Sequence, residues 1–123
     1  KMHSRGTGPL QALIRQPAAG RANNGGLRIG EMERDSILSH GTSSFLQESM
    51  MKRSDEYQVQ INESTGLIDY TDDDSQKCMI QVPYAFKMLL QELQAMSITP
   101  RIVTDNLIAN KPVFQHLINN LMD

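Results

Sequence analysis

The sequence lacks tryptophan altogether, and its 123 residues include only three tyrosines and three phenylalanines. This scarcity excludes a large aromatic core. Eight methionines are present, and such flexible side chains are typical of adaptable cores and interfaces. We therefore expect part of the chain to bury its apolar side chains against another protein.

Cysteine is nearly absent too, because Cys78 is the only one. An intramolecular disulfide is impossible, so the sequence offers no support for a secreted, disulfide-stapled fold. No apolar run approaches the roughly 18 residues of a membrane span, and residues 1–8 lack the apolar stretch of a signal peptide. Position 1 is not methionine, which suggests a start inside a longer protein. An intracellular protein without membrane contact is expected.

Acidic residues are missing from the first 30 positions, which carry five basic side chains. Residues 31–123 hold the other seven basic side chains and all 14 acidic ones, so their net charge is −7. Two interpretations fit this asymmetry equally well. The basic segment is either an arm that faces a polyanion or a piece that docks on an acidic neighbour.

Regular structure is not expected in residues 1–30, because glycine and proline interrupt them too often. Within this stretch, residues 21–28 combine arginines with a glycine pair, and phosphate binding needs guanidinium groups together with closely approaching backbone. The pattern is not a P-loop, since no Gly-Lys-Ser/Thr follows. An ordinary surface loop remains the alternative.

Residues 31–53 are predicted to form one helix, with Glu31 and Glu33 in its first turn and basic residues in its last. Gly41 is then expected in mid-helix, where another backbone would approach closely. The charged group Glu31, Glu33, Arg34 and Asp35 is interpreted as ion pairs that orient the helix, although carboxylates so close could also bind a metal or do acid–base chemistry.

Alternating apolar residues over 57–61 predict a strand, and residues 66–70 and 78–82 predict two more in a small antiparallel meander. Pro83 is expected to open a helix that ends before position 100, and 98–104 to be extended. An apolar stripe over 113–121 predicts a short terminal helix. The predicted fold class is therefore α+β, with an extended glycine- and arginine-rich loop, an anchor helix, the meander and C-terminal helices.

Metal-binding patterns are weak. Asp72, Asp73 and Asp74 offer oxygen ligands but lack the spacing of a calcium loop, so a solvated turn is favoured. The three histidines, His3, His40 and His116, are far apart, and no zinc spacing exists around Cys78. No catalytic group of serine, histidine and aspartate is apparent either.

A family resemblance rests on motifs that follow one another in order. They are KMHSRGTGP at 1–9, RQP at 15–17, GGLRIGEMERD at 25–35, HG at 40–41, VPYAFK at 82–87, QEL at 91–93 and ITPR at 98–101. Over residues 1–105 the chain resembles the carboxy-terminal region of the second-largest (β-type) subunit of multisubunit DNA-directed RNA polymerases. The motifs are more similar to the eukaryotic and archaeal branch than to the bacterial one.

The resemblance implies a role in each segment. Residues 1–30 would form a switch loop beside the DNA template and RNA–DNA hybrid, and the side chains expected to approach phosphates are Lys1, His3, Arg5, Arg21 and Arg28. Residues 31–53 would be the anchor helix, with its structural group at 31–35. Residues 54–105 would belong to the clamp, and 106–123 would form an extension helix without a family counterpart.

The resemblance also implies what the chain lacks. Catalytic Mg²⁺ is expected on the largest subunit, so this chain would have no catalytic residue and bind no cofactor. Family members usually carry four zinc cysteines in the clamp, of which only Cys78 has a match here, so no metal site is expected. This departure and the added tail suggest a large DNA virus of eukaryotes.

The expected function is therefore that of a polymerase segment, enzymatic only within the complete nucleotidyltransferase. Its partners would be the largest subunit, other polymerase subunits, template DNA and the hybrid, with no membrane. The expected location is the nucleus, or a cytoplasmic virus factory and the virion. The alternative is a non-catalytic docking module that mainly binds the largest subunit.

Overall fold

The computed structural model describes residues 1–70 and 77–109 of the chain. Four α-helices occur in these ranges: α1 (Glu31–His40), α2 (Ser43–Met50), α3 (Tyr84–Ala95) and α4 (Asp105–Ala109). Two strands, β1 (Glu56–Asn62) and β2 (Lys77–Pro83), form an antiparallel two-stranded sheet. The predicted α+β class is thus confirmed.

The chain divides into two compact units. The first, here called the arm unit, consists of Lys1–Tyr57 and Val82–Leu89. The second, here called the sheet unit, consists of the described residues within Gln58–Gln81 and from Leu90 onward.

Two helices replace the single helix predicted over 31–53. Gly41 ends α1 in a left-handed conformation with φ of 82°, and its N–H donates to Leu38 O at 3.1 Å. This is a helix C-cap that glycine adopts without steric cost. A Cβ at Gly41 would meet nothing within 4 Å, so the expected close approach of another backbone is wrong. A π-helical turn over Met51–Asp55 follows α2.

The alternation predicted for 57–61 is confirmed in β1, where Val59 and Ile61 are buried and the side chain between them is not. The strand predicted over 78–82 is confirmed as β2. The third strand is reduced to one bridge between Ile61 and Ile68. The reason lies in Gly66, whose φ of 70° takes the chain out of strand geometry.

The segment around α3 also departs slightly from expectation. Pro83 is the last residue of β2, and the helix begins one residue later at Tyr84. It ends before Ser97, which is left-handed with φ of 65°. Residues 98–104 are irregular, and α4 was not predicted, although Thr104 Oγ1 accepts from Leu107 N–H at 3.2 Å in the manner of an N-cap. The helix predicted over 113–121 lies outside the described residues.

The hydrophobic core of the described residues belongs to the sheet unit. Its buried apolar side chains are Val59, Ile61, Leu90 and Leu107. In the arm unit the buried residues are instead Gly25, Ser49 and Asp55, within the described part of the chain. The two units are therefore stabilised by different interactions.

Candidate nucleic-acid interface

The acid-free segment of residues 1–30 folds into a loop closed by backbone hydrogen bonds. Pro9 O accepts from Ala18 N–H at 3.0 Å, and Ala18 O accepts from Gly26 N–H at 2.9 Å. Regular structure is limited to a bridge between Leu10 and Pro17 and a 3₁₀ turn over Arg21–Asn23. Regular structure in residues 1–30 is thus scarce, as predicted, and the backbone path is defined by hydrogen bonds. Binding by this loop stays a prediction.

Gly25 lies where the loop has no room for a side chain. A Cβ there would lie 2.3 Å from Ala18 O and 2.8 Å from Gly20 O. Gly25 N–H also donates to Gly20 O at 2.9 Å, so the two backbone stretches touch directly. A larger residue would push them apart, which makes this a close backbone approach of the kind glycine permits.

Two of the five predicted phosphate-binding residues pack on the glycine loop. His3 Nε2 lies 2.7 Å from Gly25 O, and Arg5 Nη1 donates to Asn24 O at 2.8 Å and to Pro9 O at 3.0 Å. Both side chains are partly buried. Both side chains therefore help to close the loop. Among the described residues only Nη1 of Arg5 makes these contacts, so Nε and Nη2 could bind a phosphate.

The other three predicted residues, Lys1, Arg21 and Arg28, are exposed. Arg21 belongs to the 3₁₀ turn, and Arg28 lies just before α1. Because residues 1–30 contain no carboxylate, none of these cations has a local acidic partner in that segment. Exposed guanidinium groups with this freedom are suited to phosphate oxygens.

Acidic side chains occupy the start of α1, as predicted from Glu31 and Glu33 in its first turn. A Cβ at Gly30 would lie 2.7 Å from Glu33 Oε2, so this carboxylate folds back over the N-cap. The negative charge suits the helix dipole and would repel a bound anion. The terminus is therefore a poor phosphate site. Arg28 borders it, because its Nε would lie 3.7 Å from the same Cβ.

The charged group at 31–35 forms one ion pair in the structure. Arg34 Nη2 lies 3.1 Å from Asp35 Oδ1, with side-chain exposures of 46% and 63%. Glu31 is exposed as well. Such a pair between neighbouring, solvated residues contributes little stability, and its role as an anchor stays a prediction.

A cluster of aromatic and basic side chains in the arm unit was not predicted. Tyr57 and Tyr84 meet edge to face with ring centroids 5.2 Å apart. The Arg15 guanidinium carbon lies 4.5 Å from the Tyr84 centroid, and Lys87 Nζ lies 5.0 Å from it. Both cations are therefore within the range of cation–π attraction. Only the i, i+3 spacing of Tyr84 and Lys87 was a local signal for it.

Asp55 is a second residue that sequence reasoning missed. It is 5% exposed, and its Oδ2 accepts from Ala85 N–H at 3.0 Å. The carboxylate thereby caps the first turn of α3, where Pro83 has no capping side chain of its own. Gln16 Nε2 donates to the same oxygen at 3.4 Å. No sequence signal links positions 16, 55 and 85.

Residues 62–65, where the resemblance puts the first pair of zinc cysteines, form a hydrogen-bonded turn in the sheet unit. Asn62 Oδ1 accepts from Ser64 Oγ at 2.7 Å and from Ser64 N–H at 3.0 Å. Arg101 Nη1 donates to Thr65 O at 2.6 Å, and Thr104 Oγ1 donates to Glu63 O at 2.7 Å. Amide, hydroxyl and carbonyl groups are poor zinc ligands, and contacts from Arg101 and Thr104 stabilise this turn.

Among residues 1–70 and 77–109, no group of three His, Cys, Asp or Glu side chains is arranged to hold a metal ion. His40 lies in the last turn of α1, while His116 and Asp72–Asp74 lie outside the described residues. Cys78 borders an open depression of about 450 Å³ that Glu63 also lines. Burial raises the pKa of the Cys78 thiol, and the neighbouring Glu63 carboxylate raises it further.

No helix in the described part of the chain is long and apolar enough to cross a membrane. The candidate site is a basic loop in the arm unit, with three exposed cations at Lys1, Arg21 and Arg28.

Comparison with known proteins identifies the family of the chain. The family described as RNA polymerase Rpb2, domain 7, matches residues 25–105. DNA-directed RNA polymerase II subunit RPB2 of Encephalitozoon cuniculi is 47% identical over 112 residues, which cover 83% of this chain and 10% of the relative. DNA-directed RNA polymerase II subunit 2 of Arabidopsis thaliana is 45% identical over 123 residues, covering 90% of this chain and 10% of the relative.

An archaeal relative extends the comparison. DNA-directed RNA polymerase subunit Rpo2 of Saccharolobus solfataricus is 39% identical over 118 residues, which cover 86% of this chain and 10% of the relative. The chain thus spans about a tenth of the length of these relatives. The resemblance noted in the motifs is confirmed, and the chain belongs to the RNA polymerase Rpb2 domain 7 family, as a region of a second-largest subunit of a DNA-directed RNA polymerase.

Proposed function

We propose that this region holds the DNA template and the RNA–DNA hybrid during transcription, through phosphate contacts concentrated in residues 1–30. The observation that carries the proposal is the acid-free loop, which a fixed hydrogen-bonded backbone closes while Lys1, Arg21 and Arg28 stay exposed. Cations on a defined loop can meet successive phosphates without reading the base sequence. Such contacts suit an enzyme that must hold every template it copies.

The second part of the proposal concerns the clamp hinge. The loop runs directly into α1 at Glu31, so movement of its phosphate-bound residues is passed to the anchor helices. Residues 54–105 then contribute to the clamp itself. Template position and clamp closure would be coupled through this covalent connection.

The region would supply no catalytic group of its own. Nucleotide addition belongs to the complete polymerase, with Mg²⁺ bound by the largest subunit. This assignment is supported by the names of the relatives, which are subunits of DNA-directed RNA polymerases. The partners would be the other polymerase subunits, template DNA and the hybrid.

The test uses the full-length protein that carries this region, assembled with its polymerase partners on a defined RNA–DNA scaffold. Arg28→Ala should shorten the lifetime of the elongation complex, because one phosphate contact is lost. The slope of log lifetime against log KCl concentration should fall by about 1.

Arg53→Ala is the matched control for Arg28→Ala. It removes the same charge from an arginine that is also exposed, but that pairs with Glu48 at 3.1 Å outside the acid-free loop. Equal salt dependence for Arg28→Ala and the unmodified enzyme would contradict the proposal. An equal loss in both variants would mean that net charge, not the loop, is responsible.

A docking module for the largest subunit is the second candidate function, and the exposed apolar side chains of the arm unit favour it. Helix α1 has no buried residue, and Leu38 and Phe45 are 56% and 44% exposed. Phe45→Ser should weaken capture of the largest subunit in a pull-down if docking dominates. Intact capture together with the Arg28 effect would favour nucleic-acid holding.

We also propose an intracellular location, in the nucleus or, for a viral source, in a cytoplasmic virus factory and the virion. The polymerase II relatives support the first location. The lost zinc cysteines support the second, because they mark a divergent polymerase. Immunoblotting of purified virions and of nuclei with an antibody to this region would separate the two.

A further inference from the structure

The unpredicted cluster lies between the phosphate-binding loop and the first turn of α3, both within the arm unit. Five residues form this contact, here called the loop–helix junction: Arg15, Gln16, Asp55, Tyr57 and Tyr84. The loop contributes Arg15 and Gln16. Arg15 contacts the two tyrosine rings, and Gln16 contacts Asp55. The junction therefore fixes the middle of the loop of residues 1–30 at two positions.

The first contact of the junction is made by the Arg15 guanidinium. The group lies 4.5 Å from the Tyr84 centroid and 5.5 Å from the Tyr57 centroid, so one cation bridges both rings. Arginine is well suited to this position, because its planar group stacks on aromatic faces and keeps its charge. Lys87 approaches the same rings from α3 itself and so cannot tether the loop.

The backbone of Arg15 is also unusual. Its φ is 54°, a left-handed conformation that favours glycine over arginine. Such a conformation in a non-glycine residue persists only where the surroundings compensate for it, and it often marks a functional position. Arg15 makes two kinds of contact here: its guanidinium lies over the tyrosines, and its N–H donates to Gln11 O at 3.0 Å.

The second contact of the junction is the hydrogen bond from Gln16 to Asp55. Asp55 Oδ2 accepts both from Gln16 Nε2 and from Ala85 N–H, so one buried carboxylate joins the loop to the helix start. From here backbone bonds continue into the phosphate-binding part. Gln16 O accepts from Gln11 N–H at 2.8 Å, and the Pro9, Ala18 and Gly26 bonds follow.

We infer that Arg15 is a positioning residue, which locks the loop against the start of α3 so that Arg21 and Arg28 present their charges at a fixed place. The inference rests on the proposed function, since it assigns Arg15 to the orientation of the phosphate contacts rather than to the contacts themselves. Arg15 thereby has a different role from the other cations of the loop.

Double-variant analysis in the assembled full-length enzyme tests the inference. Arg15→Gln should shorten the elongation-complex lifetime roughly tenfold, and adding Arg28→Ala should make little further difference, because residues acting through one another are not additive. Arg15→Lys should recover part of the lifetime. Fully additive effects, with a further slope change of about 1 for Arg15 itself, would identify Arg15 as a phosphate ligand and overturn the inference.

A comparison of Arg15→Ala with Arg15→Gly separates the side chain from the backbone. Both remove the guanidinium, but glycine adopts the left-handed conformation freely. We expect both to lose lifetime, with alanine losing more. A glycine variant equal to the unmodified enzyme would show that only the backbone matters, which would overturn the inference.

Tyr84 supplies the matched ring control. Tyr84→Phe keeps an aromatic face for Arg15 and should retain most of the lifetime, whereas Tyr84→Leu should resemble Arg15→Gln. Equal behaviour of the leucine and phenylalanine variants would contradict a cation–π contact.

Hydrogen exchange tests the junction separately from the proposed phosphate contacts. In the assembled enzyme, Arg15→Gln should accelerate exchange of the Gly25 and Gly26 amides, whether or not the loop binds phosphates. Unchanged exchange would overturn the junction alone. A silent Arg28→Ala together with accelerated exchange in Arg15→Gln would instead overturn the proposed function and leave the junction standing.

Discussion

The arm unit and the sheet unit are stabilised in opposite ways. Buried apolar side chains in the described residues occur in the sheet unit, around Ile61 and Leu107. The arm unit relies on backbone hydrogen bonds, the Asp55 carboxylate and cation–π contacts, and it exposes side chains such as Leu27 and Leu38. Polar contacts of this kind contribute modestly in water, so the arm unit is the part that assembly with partners should stabilise more.

The largest expected effect comes from the sheet unit. Ile61 is fully buried, and Ile61→Ala should lower the free energy of unfolding of the chain by about 2–5 kcal/mol, through lost burial and a residual cavity. Urea denaturation followed by far-ultraviolet circular dichroism measures this change.

The matched arm-unit variant for Ile61→Ala is Leu27→Ala, because Leu27 is 90% exposed. Its cost in the isolated chain should stay within about 0.5 kcal/mol. Similar costs for the two variants would contradict the contrast between the units.

A smaller effect is expected from adding a side-chain atom within the loop of residues 1–30. Gly25→Ala should cost about 1–3 kcal/mol locally, because its Cβ would lie 2.3 Å from Ala18 O and the two stretches must separate. Hydrogen exchange of the Gly25 and Gly26 amides measures the local opening. Gly6→Ala is the control, since a Cβ there meets nothing within 4 Å. Equal protection in both variants would mean that the contact does not limit the loop.

The smallest effect concerns Cys78 in the sheet unit. Burial and Glu63 together raise the pKa of its thiol above the ordinary value, and the thiolate is the reactive form. Glu63→Gln removes the charge but not the burial, so the pKa should fall and still stay above the ordinary value.

Iodoacetamide labelling across alkaline pH measures that pKa. The pH midpoint of labelling should be lower in Glu63→Gln than in the unmodified protein. Below that midpoint, iodoacetamide should label the variant faster. A matched Glu56→Gln variant, exposed in β1, should leave the midpoint unchanged. A midpoint that is the same in all three proteins would show that Glu63 has no influence on the thiol.

Local patterns predicted much of this structure. Alternation predicted β1, and the acids at Glu31 and Glu33 predicted where α1 begins. The break at Gly41 could have been predicted too, because a glycine after Leu38 and His40 is as typical of a helix end as of a packed helix interior. The short α4 had a capping threonine as its only local signal.

The candidate site was predicted only in part. The basic residues were identified from charge and from the family motifs, but Arg5 and His3 also contact loop carbonyls, which charge alone does not indicate. Tyr57 and Asp55 were missed, because their partners lie far away in sequence. A contact between distant positions has no periodicity to detect.

The sequence by itself determined the family, the acid-free character of the arm and the alternating strand, since motifs, charge and periodicity are local properties of the chain. Only the tertiary structure decided that Arg15 faces Tyr84 and that Asp55 caps α3. These contacts arise because folding brings remote segments together, where burial strengthens a carboxylate–amide bond and an aromatic face can meet a cation. The arm's charges follow from its composition, whereas their placement follows from the fold.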